Sequence, residues 1–141
     1  MIGRMVGSSR RGLAEVEFAT VLPLLLILAL GVVDLGRGLI AYSELEQAAQ
    51  EGAIFGSFAP SDPGQIETRI RTSSVGLVDV ADADAVTIWV ECPAADRKVR
   101  VRLTYTLDIL TPLLAEMFGG TFELETRSVG TNFTDLPCTP S

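Results

Sequence analysis

The chain contains no histidine in its 141 residues. That removes Ser-His-Asp and Cys-His catalysis and the commonest zinc ligand. Cysteine is scarce as well, with only Cys92 and Cys138. If both face an oxidising compartment, one disulfide is the natural reading, with two free thiols as the alternative. Bases are few in the outer part of the chain. Of the 11 Lys and Arg, Arg4, Arg10, Arg11 and Arg37 precede Tyr42, whereas of the 18 Asp and Glu only Glu15, Glu17 and Asp34 do. The remainder is more acidic than the net charge of −7 suggests. A part that acidic is a poor phosphate binder, so no nucleic-acid partner is expected. Signals of catalysis are missing too: no nucleophile–base pair and no Gly-rich phosphate loop. Asp79, Asp82 and Asp84 fail the EF-hand pattern, because no Gly follows Asp84 and no Glu closes the loop. They read as solvated acids in a turn. The expectation is a protein that is not an enzyme, with no metal, no cofactor and no small-molecule substrate.

Charge itself is absent from Phe18 to Val33, a run of 16 residues. At 1.5 Å per residue it spans about 24 Å. A full crossing takes about 20 residues, so the helix must draw in its flanks, Leu13–Glu17 and Asp34–Tyr42. Arg4, Arg10 and Arg11 precede the run and the acidic bulk follows it. The positive-inside rule then places the N-terminus in the cytoplasm and the C-terminal part in the periplasm, on a single-pass inner-membrane protein. Arg37 lies three residues from Asp34, close enough to pair on one helix face. Pro23 removes the hydrogen bond to the Ala19 carbonyl and is the expected kink.

Four regions follow from this pattern. Residues 1–12 form a basic leader and 13–41 a transmembrane helix. Residues 42–58 continue that helix outside the membrane, and 59–141 form a small α+β domain. The continuation carries Leu45, Ala48, Ala49, Gly52, Ala53 and Phe55/Gly56 at amphipathic spacing. Its stripe is built mostly of small residues, which permit close helix approach. A helix from Leu13 to roughly Ser57 would be about 68 Å long. Beyond the break at Ala59–Gly64, Gly64–Ser73 reads as a short helix. The period then changes to two over Ala85–Glu91, Arg97–Leu107 and Thr121–Asn132, which predicts a three-stranded antiparallel sheet. Leu110–Phe118 between the last two reads as a short helix with Thr111 as N-cap and Pro112 at its first position. Trp89 is expected in the core. Arg69, Arg71 and the arginines of 97–102 read as solvated faces. A domain this small is marginal alone and needs the long helix for support.

The most informative residue is Glu17, a carboxylate at the mouth of the apolar helix. An ionisable group there is expensive and marks a functional site by default. The leader ending Arg10-Arg11-Gly12, the spacing from Gly12 to Glu17, the aromatic Phe18 and the run Ala-Thr-Val-Leu-Pro-Leu-Leu-Leu together carry a resemblance. So do Asp34-Leu-Gly-Arg and Leu45-Glu-Gln-Ala-Ala-Gln-Glu-Gly-Ala. Over roughly residues 10–56 the chain resembles the TadE-like pseudopilins of tight-adherence (Flp-type) pilus systems. The resemblance implies cutting between Gly12 and Leu13 by a membrane-embedded prepilin peptidase. It further implies partners in a major Flp-type pilin, other minor pilins, an inner-membrane assembly platform and the lipid bilayer. Phe18 in place of the usual tyrosine, and about 80 extra residues outside the membrane, suit a minor pilin better than a shaft subunit.

The charge argument stands beside that resemblance. Cutting after Gly12 frees an α-amino group, charged below about pH 7.7–8.0. In a filament that amine can meet the Glu17 of a neighbour. Two readings compete with this one. A cleaved secretory signal peptide is disfavoured by the two acids ahead of a long apolar core. An uncleaved signal-anchored protein with an outer binding domain explains everything except the Gly12–Glu17 spacing. The mature N-terminus separates the two classes.

Overall fold

A computed structural model describes residues 9–59, 62–73, 76–92 and 97–134. The fold is α+β. Helix α1 runs unbroken from Ser9 to Phe58, 50 residues, or roughly 75 Å. It passes through Pro23 and begins before the Gly12–Leu13 bond. Then come α2 (Pro63–Ser73), β1 (Val86–Glu91), β2 (Lys98–Asp108), α3 (Pro112–Phe118) and β3 (Thr121–Thr131). The strands form one antiparallel sheet in the order β1-β2-β3. Val86 pairs with Tyr105 and Glu91 with Arg100. Lys98 pairs with Thr131 and Asp108 with Thr121.

Local chemistry explains where elements start and stop. The Asp62 carboxylate accepts hydrogen bonds from the N–H groups of Gly64 and Gln65 at the start of α2. It serves the free donors that every helix N-terminus presents. The side-chain amide of Gln65 also donates to it, and these bonds hold the Asp62 carboxyl below the usual aspartate range, Gln65's amide being the largest cause. Helix α3 ends at Gly119, whose φ of 80° suits glycine. The expected N-cap at Thr111 is corrected in one respect. Thr111 has the extended backbone of a cap and Pro follows it, but its hydroxyl makes no capping bond. It is directed to α1 instead.

The core lies between the outer half of α1, the inner sheet face and α2. On α1, Ala41, Leu45, Ala48, Ala49 and Ala53 are buried. Ile66 and Ile70 from α2, and Val99, Val101 and Leu103 from β2, pack with them. Small residues set the approach distance. A Cβ added at Gly52 would come within 2.5 Å of Ile70 Cδ1, and one at Gly56 within 2.8 Å of Val99 Cγ1. In β3, a Cβ at Gly130 would overlap the Ala53 carbonyl oxygen and Ser57 Oγ. The far end is pinned as well: the Phe133 N–H donates to the Ser57 carbonyl, and the rings of Phe58 and Phe133 stack at 5.8 Å. The inner half of α1 has no such cover. Its large apolar side chains from Val16 to Val33 are exposed, and the helix is long and apolar enough to cross a membrane.

Candidate functional site

Gly12, Glu17, Phe18 and Pro23 all lie on exposed turns of α1. Leu13 is helical. A Cβ at Gly12 would meet nothing within 4 Å. Phe18 is 62% exposed on the apolar wall. Thr20 Oγ1 donates to the Glu17 carbonyl at 2.8 Å, tightening this turn three residues ahead of Pro23. The Glu17 carboxylate is different. Among the described residues no group pairs with it. It sits beside Val16, Phe18 and the exposed leucines that follow, so the helix carries an unpartnered acid into its most apolar stretch.

Three other acids of α1, Asp34, Glu44 and Glu51, have partners in the outer domain and dock it. Asp34 reaches the segment before α3. Its Oδ1 accepts from the Leu110 N–H at 3.0 Å. Its Oδ2 accepts from the Thr111 N–H at 2.8 Å and from Thr111 Oγ1 at 2.6 Å. The expected Asp34–Arg37 pair is present at 3.7 Å, and Arg37 also donates to the Asp108 carbonyl. Further along, Glu44 accepts from the N–H groups of Leu77 and Val78. Glu51 pairs with Arg69 of α2 at 2.6 Å. These three acids flank the buried stripe. A carboxylate beside such a stripe is well placed to serve N–H groups of whatever packs there. That signal was present in the sequence and sequence reasoning missed it.

The family model for TadE-like protein matches residues 12–53. The N-terminal segment is TadE-like. The match opens at Gly12 and takes in Glu17, the apolar wall, Asp34 and most of the buried stripe. It leaves out α2, the sheet and α3. No curated protein matches the chain, and no solved structure does. Among the described residues one helix, α1, is long and apolar enough to cross a membrane, and the TadE-like match lies within it.

Outside the TadE-like segment the sheet changes two expectations. Trp89 is not in the core. It is 59% exposed on the outer sheet face, opposite Arg102 in the register. Val86, Ile88 and Val90 turn inward instead, and a strand has only one inward parity. The arginines are also more than solvated charge. Arg71 pairs with Glu67 and donates to the Val80 carbonyl. Arg102 and Arg127 both approach Glu125. The hydrogen bond from Arg127, with the charges of Arg127 and Arg102, holds the Glu125 carboxyl below the usual glutamate range. Asp79 and Asp82 accept from backbone N–H groups two residues on, as turn acids do. Among the described residues no cluster of acids and cysteines is placed to hold a metal ion. Cys92 is buried at the end of β1. Cys138 lies outside the described residues.

Proposed function

We propose that this chain is a minor pilin or pseudopilin of a Flp-type pilus. It is made as a single-pass inner-membrane precursor with its basic leader in the cytoplasm and its sheet in the periplasm. A prepilin peptidase cuts it between Gly12 and Leu13. The trimmed protein primes, caps or studs an adhesive filament alongside the major pilin and other minor pilins, on an inner-membrane assembly platform.

The observation that carries this reading is the state of Glu17. It is a carboxylate on an exposed apolar helix wall with no partner among the described residues. It lies four residues from the amine that cutting would create, about one helical turn. A charge in lipid costs several kcal/mol, and breaking a buried pair costs on the order of 3–5 kcal/mol. An amine from a neighbouring subunit removes that penalty only in the correct register. Assembly is thereby coupled to processing. The TadE-like match beginning at Gly12 supports the same site.

Cys92 and Cys138 form the protein's disulfide in this reading. Cys92 is 8% exposed, and no described cysteine is a free thiol. The bridge ties the C-terminal tail to the hairpin of a small domain that needs such support.

N-terminal sequencing of the protein extracted from membranes tests the proposal. Leu13 as first residue is expected. Met1 as first residue, in cells carrying the peptidase, selects an uncleaved signal-anchored protein instead. Gly12→Val should leave the precursor untrimmed by intact mass. Normal trimming of that variant would place the cut elsewhere.

A further inference from the structure

The base of the outer domain carries an apolar patch beside the membrane helix. From Ile109 to Phe122 the sequence has one charged residue, Glu116. Leu110, Leu113, Met117, Phe118 and Phe122 are each more than half exposed, Met117 by 70%. The patch borders an apolar groove of about 490 Å³, walled by Leu35 and Leu39 of α1 and by Leu114, Phe118 and Phe122.

Its height on α1 is fixed by two observations. The Asp34 carboxylate holds Leu110 and Thr111. One turn lower, Leu114 Cδ1 lies 3.8 Å from where a Gly31 Cβ would be. Gly31 belongs to the charge-free run that ends at Val33. Helix α3 therefore stands level with the last turn of the apolar run, and its exposed leucine, methionine and phenylalanine continue the lipid-facing wall of α1. That run covers about 24 Å, less than the roughly 30 Å of a hydrocarbon core. The shortfall puts Gly31–Asp34, and α3 with it, at the level of a leaflet.

We infer that α3 and its flanks, Leu110–Phe122, are a second membrane contact, seated among the acyl chains and headgroups of the extracytoplasmic leaflet. An apolar surface beside a transmembrane helix and at its depth meets lipid before it meets any other partner. The seat also fixes how the domain stands on the bilayer, because α3 and α1 are joined through Asp34. The TadE-like match stops at Ala53, so this contact belongs to the outer domain of this chain. The inference rests on the reading of α1 as a membrane span.

Lipid quenching of single tryptophans tests it in the full-length protein, reconstituted in vesicles of phosphatidylcholine and phosphatidylglycerol with and without brominated acyl chains. In a Trp89→Phe background, Leu113→Trp and Met117→Trp should both lose fluorescence when the bromines lie near the headgroup end of the chain. They should lose less when the bromines lie deep. Ile27→Trp should be quenched most by deep bromines, and Val129→Trp on the outer sheet face should be unaffected. An unquenched Ile27→Trp would sink the membrane span itself. A quenched Ile27→Trp beside unquenched Leu113→Trp and Met117→Trp would overturn the α3 contact alone. Capture of a second copy by a photo-crosslinker at Met117 would then give the patch to that copy.

Discussion

Thr111 Oγ1 donates a 2.6 Å hydrogen bond to Asp34 Oδ2 across 77 positions of sequence. The N–H groups of Thr111 and Leu110 converge on the same carboxylate. One acid of the long helix thus holds the segment that leads into α3 and seats the outer domain on α1.

Asp34→Ala should lower the melting temperature of the detergent-solubilised protein and open the 109–122 region to protease. It leaves two N–H groups without an acceptor, and an unmade bond costs more than a made one gains. Asp34→Asn should fall between the two, since one carbonyl oxygen remains to accept. Equal stability of Asp34→Ala and the parent protein would remove this clasp from the account.

Glu17→Ala should spare trimming while blocking assembly. With the charge gone, the neighbour's amine is left unpaired in lipid. A loss of about 3 kcal/mol is on the order of a hundredfold in incorporation. The readout is the ratio of trimmed protein in sheared pili to trimmed protein in membranes. Undiminished incorporation of Glu17→Ala would end the charge-pairing idea and leave the processing site intact.

Gly52→Val should destabilise the outer domain by about 1–3 kcal/mol, the usual range for overpacking, because Ile70 and Val101 already occupy the space. Leu45→Ala should cost about 2–5 kcal/mol by leaving a cavity. Gly36→Ala, where a Cβ meets nothing within 4 Å, should be close to neutral. Denaturant melts of the three variants in one detergent decide this. A neutral Gly52→Val would mean that the helix does not approach the sheet as described.

Cys92→Ser should lower domain stability by about 2–4 kcal/mol if the bridge to Cys138 forms. In the parent protein, a maleimide–polyethylene glycol reagent should add mass only after reduction and unfolding. Labelling without reductant would mean free thiols.

Glu125 makes the outer face sensitive to acid. Its folded titration is depressed by the Arg127 hydrogen bond and then by the Arg127 and Arg102 charges. Its contribution to stability is therefore fully present above the titration of a free glutamate and is lost as pH falls through the lower, folded value. Glu125→Gln should flatten the acid limb of the stability–pH curve by lowering the neutral plateau, and leave stability at low pH nearly unchanged. High salt should have the same effect, because the pair is exposed. An acid limb identical in Glu125→Gln would assign that limb to other carboxylates.

The order of residues is enough to specify the long helix, the change from helical to strand period and the stripe Leu45, Ala48, Ala49, Gly52, Ala53. Residues on one face of a regular element repeat at its own period, so the residues declare both the element and its buried side. All three strands and both short helices lie within a few residues of where that periodicity puts them. The isolated acid Glu17 was equally legible, because the cost of a charge in an apolar run depends on local composition alone. Tertiary structure decided which loop each acid of the helix serves. Asp34 meets Leu110 and Thr111, and Glu44 meets Leu77 and Val78, only because the sheet folds back along α1. It also decided that Trp89 faces outward, since the docking of Val86, Ile88 and Val90 onto the core fixes the parity of the whole strand. Periodicity acts along the chain. Which donors reach a carboxylate is settled between segments far apart in it, and no local pattern records that distance.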